Sequence, residues 1–330
     1  MAGTGKAHLR PDDKPMLSVE DLVVEFEAGK QKVHAVSGIS FDLLEGESLG
    51  VVGESGCGKS TAGRAVLQLP APTSGTVTLD GYPLEKFKPK ALRQFRNHMQ
   101  MIMQDPVSSL NPRRKVKHLI TEGLQIWGVS DKKRLEELGR EMLTNVGLDP
   151  DAVWDRTPGE LSGGQCQRVC IGRALMLKPK MLICDEPVSS LDVSVQAQIL
   201  NLLEELKQEF GLTMMFIAHN IAVVKTISDR MMVMYLGKVC EIAPSDGIEH
   251  SAKHPYTRLL LSSIPDPDRE RGVNNDDEFD ALEGDMPSPL NPPTGCRFHT
   301  RCPLATDRCK EEEPQMREIG EHHFVACHNV

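Results

Sequence analysis

Ser48 to Gly53 reads as an apolar strand that runs straight into Gly53-Glu54-Ser55-Gly56-Cys57-Gly58-Lys59-Ser60, a G-x-x-x-x-G-K-S loop opening a helix. No other stretch of the 330 residues restricts the fold so tightly. Glycines let successive backbone N–H groups turn inward around phosphate oxygens, and the helix start adds its positive dipole. Lys59 then reaches the β- and γ-phosphates, and Ser60 offers a hydroxyl to Mg²⁺. The plain alternative is a glycine-rich turn with an exposed lysine. Strand, loop and helix in that order argue against it.

The surroundings read as an α/β chain. Leu17–Phe26 has strand character, and His34–Leu44 and Thr76–Leu79 continue it after polar turns. Residues from about 105 to 160 carry helical spacing, over Val116–Trp127 and Lys132–Val146, without an intervening strand. Alternation then resumes with Met181–Pro187, a helix from Val193 to about Phe210, a strand over Thr213–Ala218, a short helix and a strand over Met231–Leu236. Such alternation implies a mostly parallel sheet covered by helices. The expected organisation is a flexible tail over 1–16 and a main body over 17–245 with a helical insert near 105–160. An extension over 246–330 would then carry an acidic, proline-rich linker (266–293) and a cysteine cluster (296–327).

Composition narrows the partners. Charged residues make up 26% and hydrophobic ones 39%, a globular balance. Aromatics are only 4%, too few for stacking single-stranded bases on rings. The net charge is −9, but nine acids against two arginines between Asp266 and Asp285 carry −7 of it. A nucleic-acid partner is therefore not expected. The polar start and the absence of a long apolar run lead to the expectation of a cytoplasmic chain without a membrane span.

Met181-Leu-Ile-Cys-Asp185-Glu186 is an apolar strand ending in two acids, at the sheet edge where open α/β folds keep ligands. Asp185 would hold Mg²⁺ and Glu186 would polarise the attacking water as general base. An apolar run ending in two acids is weak evidence alone; the phosphate loop upstream strengthens it.

Leu161-Ser162-Gly163-Gly164-Gln165, with those two motifs and in this order, resembles the nucleotide-binding subunits of ABC transporters over about residues 17–265. The resemblance implies a P-loop ATPase fold: a mostly parallel sheet core, an antiparallel β subdomain and a helical insert, here with a small cysteine-rich extension. It implies ATP contacts from Phe26, Gly53, Ser55, Gly56, Cys57, Gly58, Lys59, Ser60, Thr61, Ser162, Gly163, Gly164, Gln165 and Asp192. Phe26 would stack on adenine. Ser60, Gln104 and Asp185 would attend Mg²⁺, and Glu186, His219 and Gln104 would serve hydrolysis. Two such subunits would close head to tail around two ATP molecules, each phosphate loop facing the other subunit's LSGGQ.

Three stretches, QDPVSSLNP, EPVSSLDVSVQAQILNLL and HPYTRLLLSSIP, look like the oligopeptide/dipeptide and nickel importer ATPases, and so does the tail beginning Gly295-Cys-Arg-Phe-His-Thr-Arg-Cys-Pro. That implies an ATPase coupled to peptide transport at the cytoplasmic face of the membrane. Its partners would be a second, related ATPase subunit, two permease subunits and, indirectly, an extracytoplasmic solute-binding protein. Rival readings are a soluble ABC ATPase of DNA repair or the ribosome, a nickel or other-solute importer, and a regulatory subunit. The single ATPase half and the absence of sustained heptads weigh against the soluble classes.

Cys296-x5-Cys302-x6-Cys309-x17-Cys327 has no C-x2-C pair. Its spacing leaves open two disulfides, a Cys₄ zinc site with His299, His322, His323 or His328 as alternative ligands, and a [4Fe–4S] cluster. The resemblance favours the cluster. Cys166, Cys170 and Cys184, and methionines such as Met214 and Met232, read as core.

Overall fold

The computed structural model describes residues 6–262 and 285–330. The acidic stretch, apart from Asp285, lies outside them. The chain divides into two compact units, 1–86 together with 217–330, and 87–216.

The first unit begins with β1 (Leu17–Ala28) and β2 (Gln31–Leu43), followed by β3 (Ser48–Val52), α1 (Lys59–Val66), β4 (Ser74–Leu79) and β5 (Tyr82–Pro83). An antiparallel sheet runs in the order β2-β1-β4-β5. Leu17, Val19, Leu22 and Val24 are its buried face. Val19 and Leu22 are three apart, which breaks the period of two. A bulge absorbs the extra residue: Asp21 takes φ +50°, and the register moves from Val19–Phe41 to Leu22–Ile39. Both sides of the bulge thereby keep their apolar residues inward.

The second unit carries α2 (Pro89–Phe95), β6 (Met99–Ile102), α3 (Pro106–Ser109), α4 (Val116–Ile126), α5 (Lys132–Asn145), α6 (Pro150–Val153), α7 (Gly163–Leu175), β7 (Met181–Asp185), α8 (Val193–Phe210) and β8 (Thr213–Ile217). Its strands run β8-β7-β6, with β6 and β7 parallel from Met99–Met181 to Ile102–Cys184. Every residue of β7 and β8 is buried, as a strand covered on both faces requires. The expected helical insert is present. Asp131 starts α5 by accepting from the N–H groups of Lys133 and Arg134. Gly172 of α7 allows close packing beneath it, because a Cβ there would lie 2.8 Å from Ile120 of α4.

The chain then returns to the first unit through α9 (Ile221–Ile227), β9 (Arg230–Tyr235), β10 (Lys238–Pro244), α10 (Ile248–Ser251), α11 (Pro255–Ser262), α12 (Asp307–Glu311), β11 (Arg317–Gly320) and β12 (His323–Val325). β3 pairs in parallel with β9, from Leu49–Arg230 to Val52–Val233. β10 pairs antiparallel with β9, β12 with β10 and β11 with β12.

Two expectations need correction here. The cysteine-bearing extension is not an appended tail: Glu241 and Ile242 of β10 lie opposite Val325 and Phe324 of β12, so its last strands complete a sheet of the body. Residues 6–16 are not a loose leader either. His8 is buried, and Arg10 forks onto Asp42 at 2.8 Å and Glu47 at 2.6 Å. Arg230 binds the same two acids, at 2.8 and 2.5 Å. Removing Arg10 would leave two largely buried carboxylates to a single guanidinium. Among the described residues no helix is long and apolar enough to cross a membrane.

Candidate nucleotide-binding and hydrolysis site

In the first unit, β3 delivers the phosphate loop and α1 begins at Lys59. Two glycines are dictated by geometry. Gly53 has φ +150° and a Cβ there would stand 2.1 Å from the Met234 carbonyl oxygen; Gly58 has φ +106° and would meet Ala35 O at 2.2 Å. Only glycine satisfies both the backbone angle and the approach. Lys59 is buried, and its Nζ donates to Gly53 O at 2.7 Å and Glu54 O at 2.9 Å. The loop thus pins the ammonium at the mouth of the helix. Ser55 and Gly56 are exposed, while Ser60 and Thr61 occupy the first turn of α1. Cys57 is fully buried, and that burial pushes its thiol pKa up. It is packing rather than a reactive group.

Phe26 lies on β1 opposite Val33 and is 41% exposed, an uncovered ring suited to stacking. His219 is exposed at the end of the β8 segment, immediately before Asn220, whose side chain caps α9 by accepting from Ala222 N–H.

In the second unit, β7 ends on the buried Asp185. Glu186 follows with φ +48°, a left-handed backbone that costs a non-glycine residue roughly 1–2 kcal/mol. Ser189 offsets this by donating twice to Glu186 O, from N–H at 3.3 Å and Oγ at 3.1 Å. Gln104 Nε2 donates to Glu186 Oε2 at 2.7 Å. A carboxamide held against a carboxylate fixes the direction in which that carboxylate faces, an arrangement that suits a general base. That contact spans 82 residues of sequence, and no local pattern announces it.

LSGGQ starts α7 through a capping box. Ser162 Oγ accepts from Gln165 N–H at 3.2 Å, and Gln165 Oε1 accepts from Ser162 N–H at 3.0 Å. Gly164 is small because a Cβ would come within 2.8 Å of Val195 on α8. Asp192 caps α8, accepting from Val195 N–H at 3.0 Å and Ser194 Oγ at 2.7 Å. Those bonds hold its pKa below the ordinary carboxylate value. Gln165 and Asp192, both expected as ATP contacts, therefore have their side chains committed to helix starts.

The cysteine cluster fares differently. Cys296, Cys302, Cys309 and Cys327 are free thiols. Burial, aided by the neighbouring thiols of the set, pushes Cys296 and Cys302 up to about 11. Cys309 Sγ lies 3.3 Å from Thr306 Oγ1, and Cys327 Sγ accepts from Asn329 N–H at 3.4 Å. Among the described residues no group of three or more His, Cys, Asp or Glu is arranged to hold a metal ion. Three of the four alternative histidines have hydrogen-bond partners of their own. His323 is 2.6 Å from Glu241, His299 bonds Cys296 O, and His328 bonds Glu312 O. The described residues therefore lend the expected [4Fe–4S] cluster, or zinc in its place, no support, and no chemistry is assigned through it.

The family profile described as "ABC transporter" matches residues 36–189, and that for "Oligopeptide/dipeptide transporter, C-terminal region" matches residues 240–309. The putative oligopeptide transport ATP-binding protein YkfD of Bacillus subtilis is 50% identical over 317 residues, 95% of each chain. The chain belongs to the ABC transporter family. Further relatives of this ABC subunit include the oligopeptide transport ATP-binding protein OppF of Escherichia coli, 47% identical over 327 residues, 96% of this chain and 97% of that one. The ABC fold is matched by a solved cassette, MJ0796, in a dimeric post-hydrolysis state bound to ADP and Pi. It has a TM-score of 0.65 and 26% identity, and the match covers 70% of this chain and all of that one.

Proposed function

We propose that this chain is the ATP-hydrolysing subunit of a peptide importer. The observation that carries the proposal is the union in one chain of the phosphate loop seating Lys59, the Gln104–Glu186 pair, and a C-terminal region of the oligopeptide/dipeptide type. Names of relatives that match nearly end to end support the peptide class.

The phosphates lie along the loop N–H groups and the start of α1, and Lys59, seated by its two loop carbonyls, turns its ammonium to the β- and γ-phosphates. Phe26 covers the adenine. Ser60 and Asp185 are hard oxygen donors of the type Mg²⁺ takes. They would hold Mg²⁺, which when bound would supply charge neutralisation for phosphoryl transfer. Glu186, oriented by Gln104, takes a proton from the attacking water, and His219 attends the γ-phosphate. The α7 N-terminus, with Ser162 and the N–H groups of Gly163 and Gly164, serves the γ-phosphate of a second ATPase subunit in a head-to-tail pair. The chain works at the cytoplasmic face of the membrane beside two permease subunits, which a solute-binding protein supplies.

Replacing Lys59 with Ala tests the ATP assignment. ATP binding to the full-length chain is expected to weaken by at least about a hundredfold, with the unfolding midpoint unchanged. Retained affinity would refute the assignment.

A further inference from the structure

The C-terminal region reaches back to the phosphate loop at two points. Tyr256, of the sequence His254-Pro255-Tyr256, accepts a hydrogen bond on Oη from the backbone N–H of Glu54 at 2.8 Å. Arg301, from the cysteine-bearing segment, donates from Nη1 to both carboxylate oxygens of Glu54, at 3.1 and 3.0 Å.

Both contacts are built rather than incidental. Tyr256 is fully buried, its ring packed edge-on against Tyr235 at 4.7 Å and tilted against Phe298 at 5.3 Å. His254 Nδ1 accepts from Tyr256 N–H at 3.1 Å, fixing the start of α11. The Arg301 side chain is 6% exposed, lies over the Tyr235 ring at 5.8 Å and donates to Tyr235 Oη at 3.4 Å. Arg297, four residues earlier, donates to Leu236 O.

The consequence lies in one peptide. The Gly53 carbonyl and the Glu54 N–H are the two ends of the same planar unit. The carbonyl accepts from Lys59 Nζ while the N–H donates to Tyr256. Rotating that unit to release Tyr256 would swing the carbonyl away from Lys59. Glycine at 53, with φ +150°, supplies little resistance of its own. Rigidity must come from outside the loop.

We infer that Tyr256 and Arg301 are positioning residues for ATP: the C-terminal region clamps Glu54 so that the phosphate loop presents Lys59 and its N–H groups in binding geometry. This goes beyond the assignment of the loop as the ATP site, and rests on it. The region characteristic of peptide-transporter ATPases is thereby part of the nucleotide machinery and not only an appendage for other partners.

The test uses the full-length chain, with ATP affinity and unfolding midpoint measured on each variant. Tyr256→Phe keeps the ring and removes the hydroxyl, and is expected to raise the Kd for ATP roughly tenfold, the effect of one lost hydrogen bond. Glu54→Gln and Arg301→Gln are each expected to raise it several-fold. The Glu54→Gln/Arg301→Gln double variant should be no worse than the weaker-binding single, because both remove one clamp. Arg301→Lys should restore part of the loss. A purely structural arginine would instead lower the midpoint, leave Kd alone and add to Glu54→Gln. Unchanged Kd in Tyr256→Phe and Glu54→Gln, or additive losses in the double variant, would overturn the inference. If Arg301→Gln does not fold, Glu54→Gln and Tyr256→Phe still decide it. Loss of binding in Lys59→Ala with none in the clamp variants would sink the clamp and leave the ATP site standing.

Discussion

Single residues in this ABC subunit are chosen by contacts a few ångströms away. At Gly58 a methyl group would press against Ala35 O while the backbone holds φ +106°. Gly58→Ala is expected to cost more than about 1 kcal/mol in unfolding free energy and to weaken ATP binding at least tenfold, by denaturation and direct binding assays. An alanine variant with native affinity would show that the loop tolerates another path. The phosphate-loop glycines, Lys59 and Asp185–Glu186 were legible in the sequence because their chemistry is written in consecutive residues. Gln104 was placed there only by resemblance, and its bond to Glu186 joins positions 82 apart. Gln165 and Asp192 show the converse. Their motifs were readable, but S-x-x-Q and D-x-x-V also spell helix caps, and the cap is where the side-chain atoms are.

Among elements, the helices with clear periodicity matched expectation: α4, α5 and α8 stand within two residues of their predicted ends, and β1, β7 and β8 do so as apolar-rich runs. β10, β11 and β12 escaped. β11 and β12 are four and three residues long, too short for any period, and β12 exists because β10 offers it an edge more than 80 residues upstream. The spacing of the four thiols in that segment left disulfides, zinc and a cluster open and only resemblance favoured the cluster; Cys309 lies beside Thr306 Oγ1, and Cys327 accepts from Asn329 N–H. The capping box at α7 makes its own prediction. Ser162→Ala should cost about 1 kcal/mol of stability in denaturant titrations of the full chain. No change would mean that the start of α7 is held by its packing alone.

On the scale of the molecule, stability is tied to pH through the C-terminal region. His254 is buried, and burial lowers its pKa to about 4 despite the charge of Glu241 nearby. The unfolded chain, with an ordinary histidine near 6.5, binds the proton first on acidification. Stability linked to His254 is therefore complete above pH 6.5 and declines as pH falls toward 4. Glu241 adds to this at lower pH. Its burial favours protonation, but the bond to His323, together with others, outweighs it and keeps its pKa below the ordinary carboxylate value. Its contribution is lost only as pH drops through that depressed pKa. In His254→Asn, whose Oδ1 can accept the Tyr256 N–H, the midpoint between pH 6.5 and 4 should fall less steeply than in the parent. An identical slope would place the acid sensitivity elsewhere.

The same region that confers this pH dependence closes a sheet of the body and touches the phosphate loop, so the phosphate loop and the region that marks the transporter type meet in one unit. Whether that chemistry drives uptake is decided by Glu186. In vesicles holding this chain with its second ATPase, both permeases and an external binding protein, ATP hydrolysis and peptide uptake should fall together in Glu186→Gln. The expected loss is on the order of a hundredfold, while ATP binding persists. Hydrolysis and uptake at the parent rate would contradict the assignment of this chain as an engine of transport.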